Sequence, residues 1–188
     1  MAERGMGLRG AMDDALKRDL IAFLPRLRRF ALGLTGNRAE GDDLVQATCE
    51  RALRYSDHWM PGTRLDAWLF RMARNLFLND RRDRRRRGPH LPIDEHPEGP
   101  AFDGERAAVS GIALEAVTAG LQRLPEEQRS ALLLIAVEGL GYREAAEVLG
   151  VPIGTVTSRL ARARGALRAE LDEPARPAAA AHRRELSR

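Results

Sequence analysis

YREAAEVLGVPIGTVTSRLARAR, residues 142–164, is a short amphipathic helix, a glycine turn and a second helix with hydroxyls and arginines on one face. Gly139 and Gly141 end the helix before it, because glycine tolerates turn and cap geometry that other residues resist. The new helix is expected to start at Gly141, with Glu144 in its first turn opposing the positive end of the helix dipole. Ala145, Ala146, Val148 and Leu149 supply its buried side, and Ala146 is small enough for a close helix crossing. Gly150 permits the turn, Val151 and Pro152 continue it, and Ile153 is expected to pack inward. The second helix is expected from about Gly154–Thr155, with the apolar stripe Val156, Leu160, Ala163, Leu167 and Leu171 in steps of three and four. Its other face carries Thr155, Thr157, Ser158, Arg159, Arg162 and Arg168. Hydroxyls at a helix start can bond phosphates, and arginine can bond phosphates or guanine edges, so this is a DNA-reading helix-turn-helix pattern. The competing reading is a two-helix hairpin with a solvated basic face.

Upstream, residues 13–87 and 108–171 have helical periodicity and 88–107 do not. That middle stretch, GPHLPIDEHPEGPAFDGERA, holds four prolines and an acidic excess at Asp94, Glu95, Glu98, Asp103 and Glu105. No helix survives such proline spacing, so it reads as a flexible linker. The expected fold is therefore all-α: two small helical domains, at 13–87 and 108–171, joined by an acidic Pro/Gly linker. Residues 1–12 and 172–188 are expected to be disordered, and Met1, Met6 and Met12 are all candidate starts. Hydrophobic content of 44% suffices for a core, while only 5% aromatics and a dominance of Ala and Leu favour helices. The net charge of +4 suits a polyanionic partner, and Lys17 is the only lysine, so arginine carries the positive charge.

The first domain opens on Leu16, Leu20 and Leu24, with Pro25 expected to kink or restart the helix before Leu27, Phe30, Ala31 and Leu34. A helix from about Ala39 to Tyr55 buries Leu44, Val45, Thr48, Cys49 and Ala52. A loop follows at 56–64, then a helix from Leu65 to about Arg82 burying Leu65, Trp68, Leu69, Met72, Ala73 and Leu76. Its other face shows Arg71, Arg74, Asn75, Leu78 and Asn79 and runs into RRDRRRR at 81–87. That run has two readings: a solvated helix end whose cations suit the dipole, or a phosphate-binding patch. Amides and the loop aromatic Trp59 nearby favour the second, since stacking, edge bonding and charge are what single-stranded bases need.

Taken together, the segments resemble bacterial RNA polymerase sigma factors of the sigma-70 family, in the extracytoplasmic-function (ECF) group. DDLVQATCERAL at 42–53 is similar to the segment that meets core polymerase, and RLDAWLFRMARNLFLNDRR at 64–82 to the helix that melts and reads the minus-ten element. Residues 124–167 resemble the fourth sigma domain, which reads the minus-thirty-five element. DDLVQ, PGTRLDAWLF and PIGTVTSRLARAR resemble in particular the general-stress sigma factors of alphaproteobacteria.

The resemblance implies roles for particular residues. Asp42, Asp43, Leu44, Val45 and Gln46 would dock on the polymerase clamp, although a carboxylate pair at a helix start is also an ordinary dipole preference. Trp59, Arg71, Arg74, Asn75, Asn79, Arg81 and Arg82 would meet minus-ten DNA, with Trp59 either stacking on a base or packing on the core. Thr155, Thr157, Ser158, Arg159 and Arg162 would meet minus-thirty-five DNA. Thr157 stands where the family is often basic, and Gly141 where it often has a Ser or Thr cap. The implied partners are core RNA polymerase at its clamp and flap, promoter DNA and an anti-sigma factor. The linker would thread a basic channel of the polymerase. The implied role is promoter selection and melting in a stress or envelope response, in the cytoplasm, without membrane insertion.

Other function classes lack their residues. Cys49 is the only cysteine, and His58, His90, His96 and His182 show no paired-ligand spacing, so no metal site, cofactor or catalytic residue is expected. Asp42 and Asp43 are adjacent in sequence, not paired across a cleft. The chain is not expected to be an enzyme. The alternative is a helix-turn-helix transcriptional regulator that works without core polymerase. It would need a sensor or dimerisation domain, for which residues 13–87 offer no heptad or obvious ligand pocket.

Overall fold

The computed structural model describes residues 3–59, 63–87 and 116–172, with side chains described from Asp14 onward. The expected linker at 88–107 and the tail beyond Asp172 lie outside the described residues. The first unit contains α1 (Glu3–Thr35), α2 (Arg38–Arg54), a 3-10 turn (Ser56–His58) and α3 (Leu65–Arg87). The second contains α4 (116–123), α5 (Glu126–Leu132), which continues into a π-helical turn (Leu133–Val137), α6 (Tyr142–Leu149) and α7 (Ile153–Asp172).

α1 differs from expectation at both of its doubtful points. Residues 3–12, expected to lack structure, continue the helix, and Pro25 lies inside it without ending it. Proline forfeits the bond from its own nitrogen to the carbonyl four residues back. Here Pro25 is exposed and Ile21, four residues earlier, is 66% exposed, so water can satisfy the released carbonyl. No proline precedes it to stop the helix earlier.

α2 starts where the sequence supplies both a turn and a cap. Gly36 takes φ 75, and the Asn37 side chain accepts the Glu40 backbone N–H at 3.2 Å. The first unit then closes around aromatic rings. Phe70 of α3 packs edge-on to Phe23 at 5.0 Å between centroids and tilted to Phe30 at 4.8 Å, both rings from α1. Leu27, Phe30, Leu34, Ala52, Leu69 and Phe70 are fully enclosed around them.

The second unit is built on smaller side chains. Ala145, Ala146, Val148, Val156, Leu160 and Ala163 are buried where α6 meets α7. Glu144 accepts the Gly141 N–H at 2.7 Å, so a carboxylate three residues on holds the cap that glycine cannot make with a side chain. Gly150 adopts φ 66, and the Val151 N–H donates to the Ala146 carbonyl at 3.1 Å, a Schellman closure that turns the chain from α6 into α7. Two apolar residues depart from expectation: Ile153 is 44% exposed and Leu171 is 48% exposed. Ile153 sits at the outer start of α7, and the stripe stops packing after the partly buried Leu167.

The units pack against each other. Leu133 of the π turn seats on Gly33 of α1, where an added Cβ would stand 2.5 Å from a Leu133 methyl. Residues of both units belong to one continuous cluster of buried apolar side chains. Among the described residues, no helix is long and apolar enough to cross a membrane.

Candidate nucleic-acid interface

One edge of α3 surrounds a pocket of about 170 Å³ lined by Trp68, Arg71, Met72, Asn75, Leu76 and Asn79, with Arg51 added from α2. Arg71, Asn75 and Asn79 recur every four residues, so their side chains stack along one edge of the helix. The pocket thus holds an aromatic wall, two amides that can both donate and accept, and two guanidinium groups. Trp68 was expected in the core and is instead half-buried at this opening. Arg51 was not singled out from the sequence, because its partnership with α3 depends on how α2 and α3 cross.

Trp59 follows its other reading. Its ring is only 6% exposed and its Nε1–H is buried without a hydrogen-bond partner. It packs into the core, the second of its two expected environments, and in this conformation offers no stacking surface.

Arg71 of this pocket and the last turns of α3 also reach toward the second unit. Arg71 donates to the backbone carbonyl of Glu147, and Arg64 pairs with Glu144. Arg81 and Arg85 both reach Glu126, at 3.2 and 2.9 Å. Arg84 bonds Glu40 at 2.6 Å and Asp80 at 2.8 Å. The arginine run is therefore partly neutralised by acids of α2, α3 and α5, although residues 81–87 are all exposed. Arg74 is half-buried; burial, then the nearby Arg159 charge, push its guanidinium pKa down.

On α7, Thr157 and Arg162 are exposed, while Thr155, Ser158 and Arg159 are half-buried. The Thr157 hydroxyl donates to the Ile153 carbonyl at 3.1 Å and that of Ser158 to the Thr155 carbonyl at 3.0 Å. Both must rotate away from the helix to donate to a phosphate.

The five residues expected to dock on polymerase do not share a surface. Asp42, Asp43 and Gln46 are exposed, whereas Leu44 and Val45 are 8% and 6% exposed and belong to the core. They lie, as the periodicity predicts, on the inward face of an amphipathic helix and hold α2 in place while their polar neighbours face out. Asp42 is 3.8 Å from Arg28, and Gln46 bonds Glu50 at 3.0 Å. Cys49 is half-buried, and burial pushes its thiol pKa up, which keeps it protonated at neutral pH.

Two buried ionic residues escaped the sequence reading. Arg129 of α5 is 2% exposed and donates to the carbonyls of Leu34, Gln122 and Leu124 and to the Gln122 side chain. Glu138, just past the π turn, is 7% exposed and lies against Arg26 and Arg29 of α1. Neither sits on a periodic apolar stripe, and both partners are distant in sequence.

Residues 114–167 match the family described as sigma-70, region 4, and residues 20–74 match the family described as the sigma2 domain of PhyR. The chain is 39% identical over 160 residues to the ECF RNA polymerase sigma factor EcfG of Rhodopseudomonas palustris, covering 85% of this chain and 87% of that one. It is 38% identical over 131 residues to the ECF sigma factor SigC of Mycobacterium tuberculosis, covering 70% of each. The fold superposes on the sigma factor RpoE of Bartonella quintana, solved in complex with the anti-sigma factor NepR, with a TM-score of 0.67 and 34% identity over 82% of this chain and 95% of that one. The two helical units in this order, the helix-turn-helix in the second and these similarities along most of the length make the chain a member of the ECF sigma factors, which direct RNA polymerase to promoters.

Proposed function

We propose that the two helical units form a two-point promoter clamp, with α3 holding single-stranded minus-ten bases and α7 reading the minus-thirty-five duplex. The observation that carries this is the pocket on α3, where Trp68, Arg71, Asn75 and Asn79 converge with Arg51. A base splayed from its stack needs an aromatic or apolar wall, an edge partner and a cation for its phosphate, and these residue types supply all three. Arg81 and Arg82 extend the cationic track along the same helix. On α7, Thr155, Thr157, Ser158, Arg159 and Arg162 are the duplex-facing set, with Arg159 and Arg162 as the cations that reach base edges or phosphates.

Core polymerase docks on α2 through Asp42, Asp43 and Gln46, whose side chains are exposed, while Leu44 and Val45 fix the register of that helix from beneath. The action is recruitment and strand capture, not catalysis, and it takes place in the cytoplasm with the polymerase. The relative from Bartonella quintana was solved bound to an anti-sigma factor, and a partner of that kind is the expected negative regulator here, in a stress response. Duplex reading by α7 is modest, since Thr157 adds no charge, so stable promoter binding depends on the polymerase.

The test is run-off transcription with core polymerase on a genomic promoter set. Asn75→Ala and Asn79→Ala together should abolish specific run-off while leaving core binding intact. Arg159→Ala should cost about 1–3 kcal/mol of promoter affinity and relax preference at one minus-thirty-five position if Arg159 reads a base. If it touches only phosphate, the salt slope should fall by roughly 0.9 with no change of preference. Specific, salt-resistant promoter binding without core polymerase would overturn the clamp in favour of an autonomous regulator.

A further inference from the structure

Among the described residues, two aromatic side chains are largely exposed, Tyr55 at 41% and Tyr142 at 43%. Tyr142 begins α6 in the second unit, whereas Tyr55 is tied to the α3 pocket through Arg51. Arg51 lines that pocket, and its guanidinium carbon also lies 5.5 Å from the centroid of the Tyr55 ring, within the range of a cation–π contact. The Tyr55 and His58 rings stand steeply inclined to each other, with centroids 5.7 Å apart and planes at 69°. A row of flat side chains therefore runs from Trp68 on α3, by way of Arg51, to Tyr55 and His58 beyond the end of α2.

The backbone holds the Tyr55 ring in that place. Arg51 and Tyr55 are four residues apart, so their side chains lie on one side of the helix end. Tyr55 closes α2: its N–H donates to the Arg51 carbonyl at 3.0 Å, and its own carbonyl accepts the His58 N–H at 3.0 Å in the turn that follows. Trp59, which ends that turn, is buried and anchors it from beneath. The ring is thus ordered before any ligand arrives, which lowers the entropy lost on binding to it. The charge around it suits a phosphate chain, since α2 ends in Arg51 and Arg54 against Asp57 in the turn.

We propose that Tyr55 is a second stacking platform for the melted strand: while one base enters the α3 pocket, an adjacent base lies on the Tyr55 ring, and Arg51 between them bonds the phosphate that joins them. The proposal rests on the reading of the α3 pocket as the site of a single-stranded minus-ten base. Stacking uses the flat face that every base has, so Tyr55 adds grip on the separated strand and not base identity. Base identity stays with the amides of Asn75 and Asn79, which have edges to donate and accept.

The test uses the full chain with core polymerase and a labelled promoter fork whose single-stranded minus-ten bases are replaced, one at a time, by abasic sites. With the wild type, loss of a base should weaken binding about fivefold or more at two neighbouring positions. Asn75→Ala with Asn79→Ala should remove the sensitivity at one of them, and Tyr55→Ala at the other. Tyr55→Ala should also weaken the intact fork about fivefold or more, to a similar degree for each of the four bases at its position. Tyr55→Phe, which keeps the ring, should restore the sensitivity that Tyr55→Ala removes, whereas Tyr55→Leu, which keeps apolar bulk without a ring, should not. Intact-fork binding as tight in Tyr55→Ala as in the wild type would overturn the platform. So would a loss of the same size on every abasic fork, or one matched by weaker binding to core polymerase, which would make Tyr55 a polymerase contact. A profile altered by the asparagine pair and not by Tyr55→Ala overturns the platform alone; the reverse overturns the α3 reading alone.

Discussion

The two halves of this sigma factor carry their reading helices on opposite kinds of core. In the first unit α3 is anchored by rings: Phe70 sits between Phe23 and Phe30, and Phe77 and Trp59 are also buried. In the second unit the described core contains no buried aromatic residue; alanines, valines and leucines join α6 to α7. The difference follows from what each must do. Three long helices leave a wide gap that only rings fill, and the rings fix α3 so that its amide edge stays in register with Arg51 of α2. A helix-turn-helix instead requires two short helices to approach closely around a sharp turn, which large side chains would prevent.

The largest effect expected from this contrast is in the first core. Phe70→Ala should destabilise the chain by about 3–5 kcal/mol, read as a fall in the urea midpoint at unchanged slope. A loss below about 1 kcal/mol would mean that the aromatic cluster is not what anchors α3. The second core should fail in the opposite sense, by overfilling. Ala163 of α7 is fully enclosed, so Ala163→Leu should cost about 1–3 kcal/mol, while the same change on the exposed Ala161 should cost almost nothing. Equal costs at 161 and 163 would show that α6 and α7 are not closely packed.

The smallest effect concerns the start of α3. Asp66 is partly buried, which by itself raises its pKa. Hydrogen bonds from Arg64 and the Ala67 N–H, with the charges of Arg64 and Arg26, more than offset this and hold its carboxyl below its ordinary value. A carboxyl lowered on folding stabilises the protein above its unfolded value of about 3.9, and that contribution disappears as the pH falls through the folded value. Asp66→Asn should therefore lower the urea midpoint at pH 7, with the gap to the wild type closing as the buffer is taken down toward pH 3. A gap that stays constant over that range would show that the charge on Asp66 does not matter.

Much of this molecule is legible in its residues because the signals are local. The Gly150 turn, the apolar steps from Val156 to Leu167 and the edge formed by Arg71, Asn75 and Asn79 depend on spacing along a single helix. Periodicity alone placed Leu44 and Val45 on the buried face of α2. What periodicity could not decide has one shared origin. Pro25 was expected to kink or restart the helix, and α1 runs through it, its outward position letting water satisfy the freed carbonyl. Which of its two expected environments Trp59 takes depends on what lies across the gap, and it takes the core. Glu138 carried no signal, since its partners Arg26 and Arg29 lie more than a hundred residues away, and Arg129 carried none because its burial depends on α1 closing over it at Leu34.

By itself the sequence determined that the chain is helical, that residues 142–164 form a helix-turn-helix, and which residue types line α3 and α7. Periodicity, glycine conformation and proline geometry act over a few residues and do not depend on the rest of the chain. Only the tertiary structure decided which of those side chains are available: it opened the α3 pocket around Trp68, enclosed Trp59, and set Arg74 against Arg159. Those outcomes depend on long-range packing, where the contacts of Glu138 with Arg26 and Arg29 and the seat of Leu133 on Gly33 bring together groups that no local rule connects.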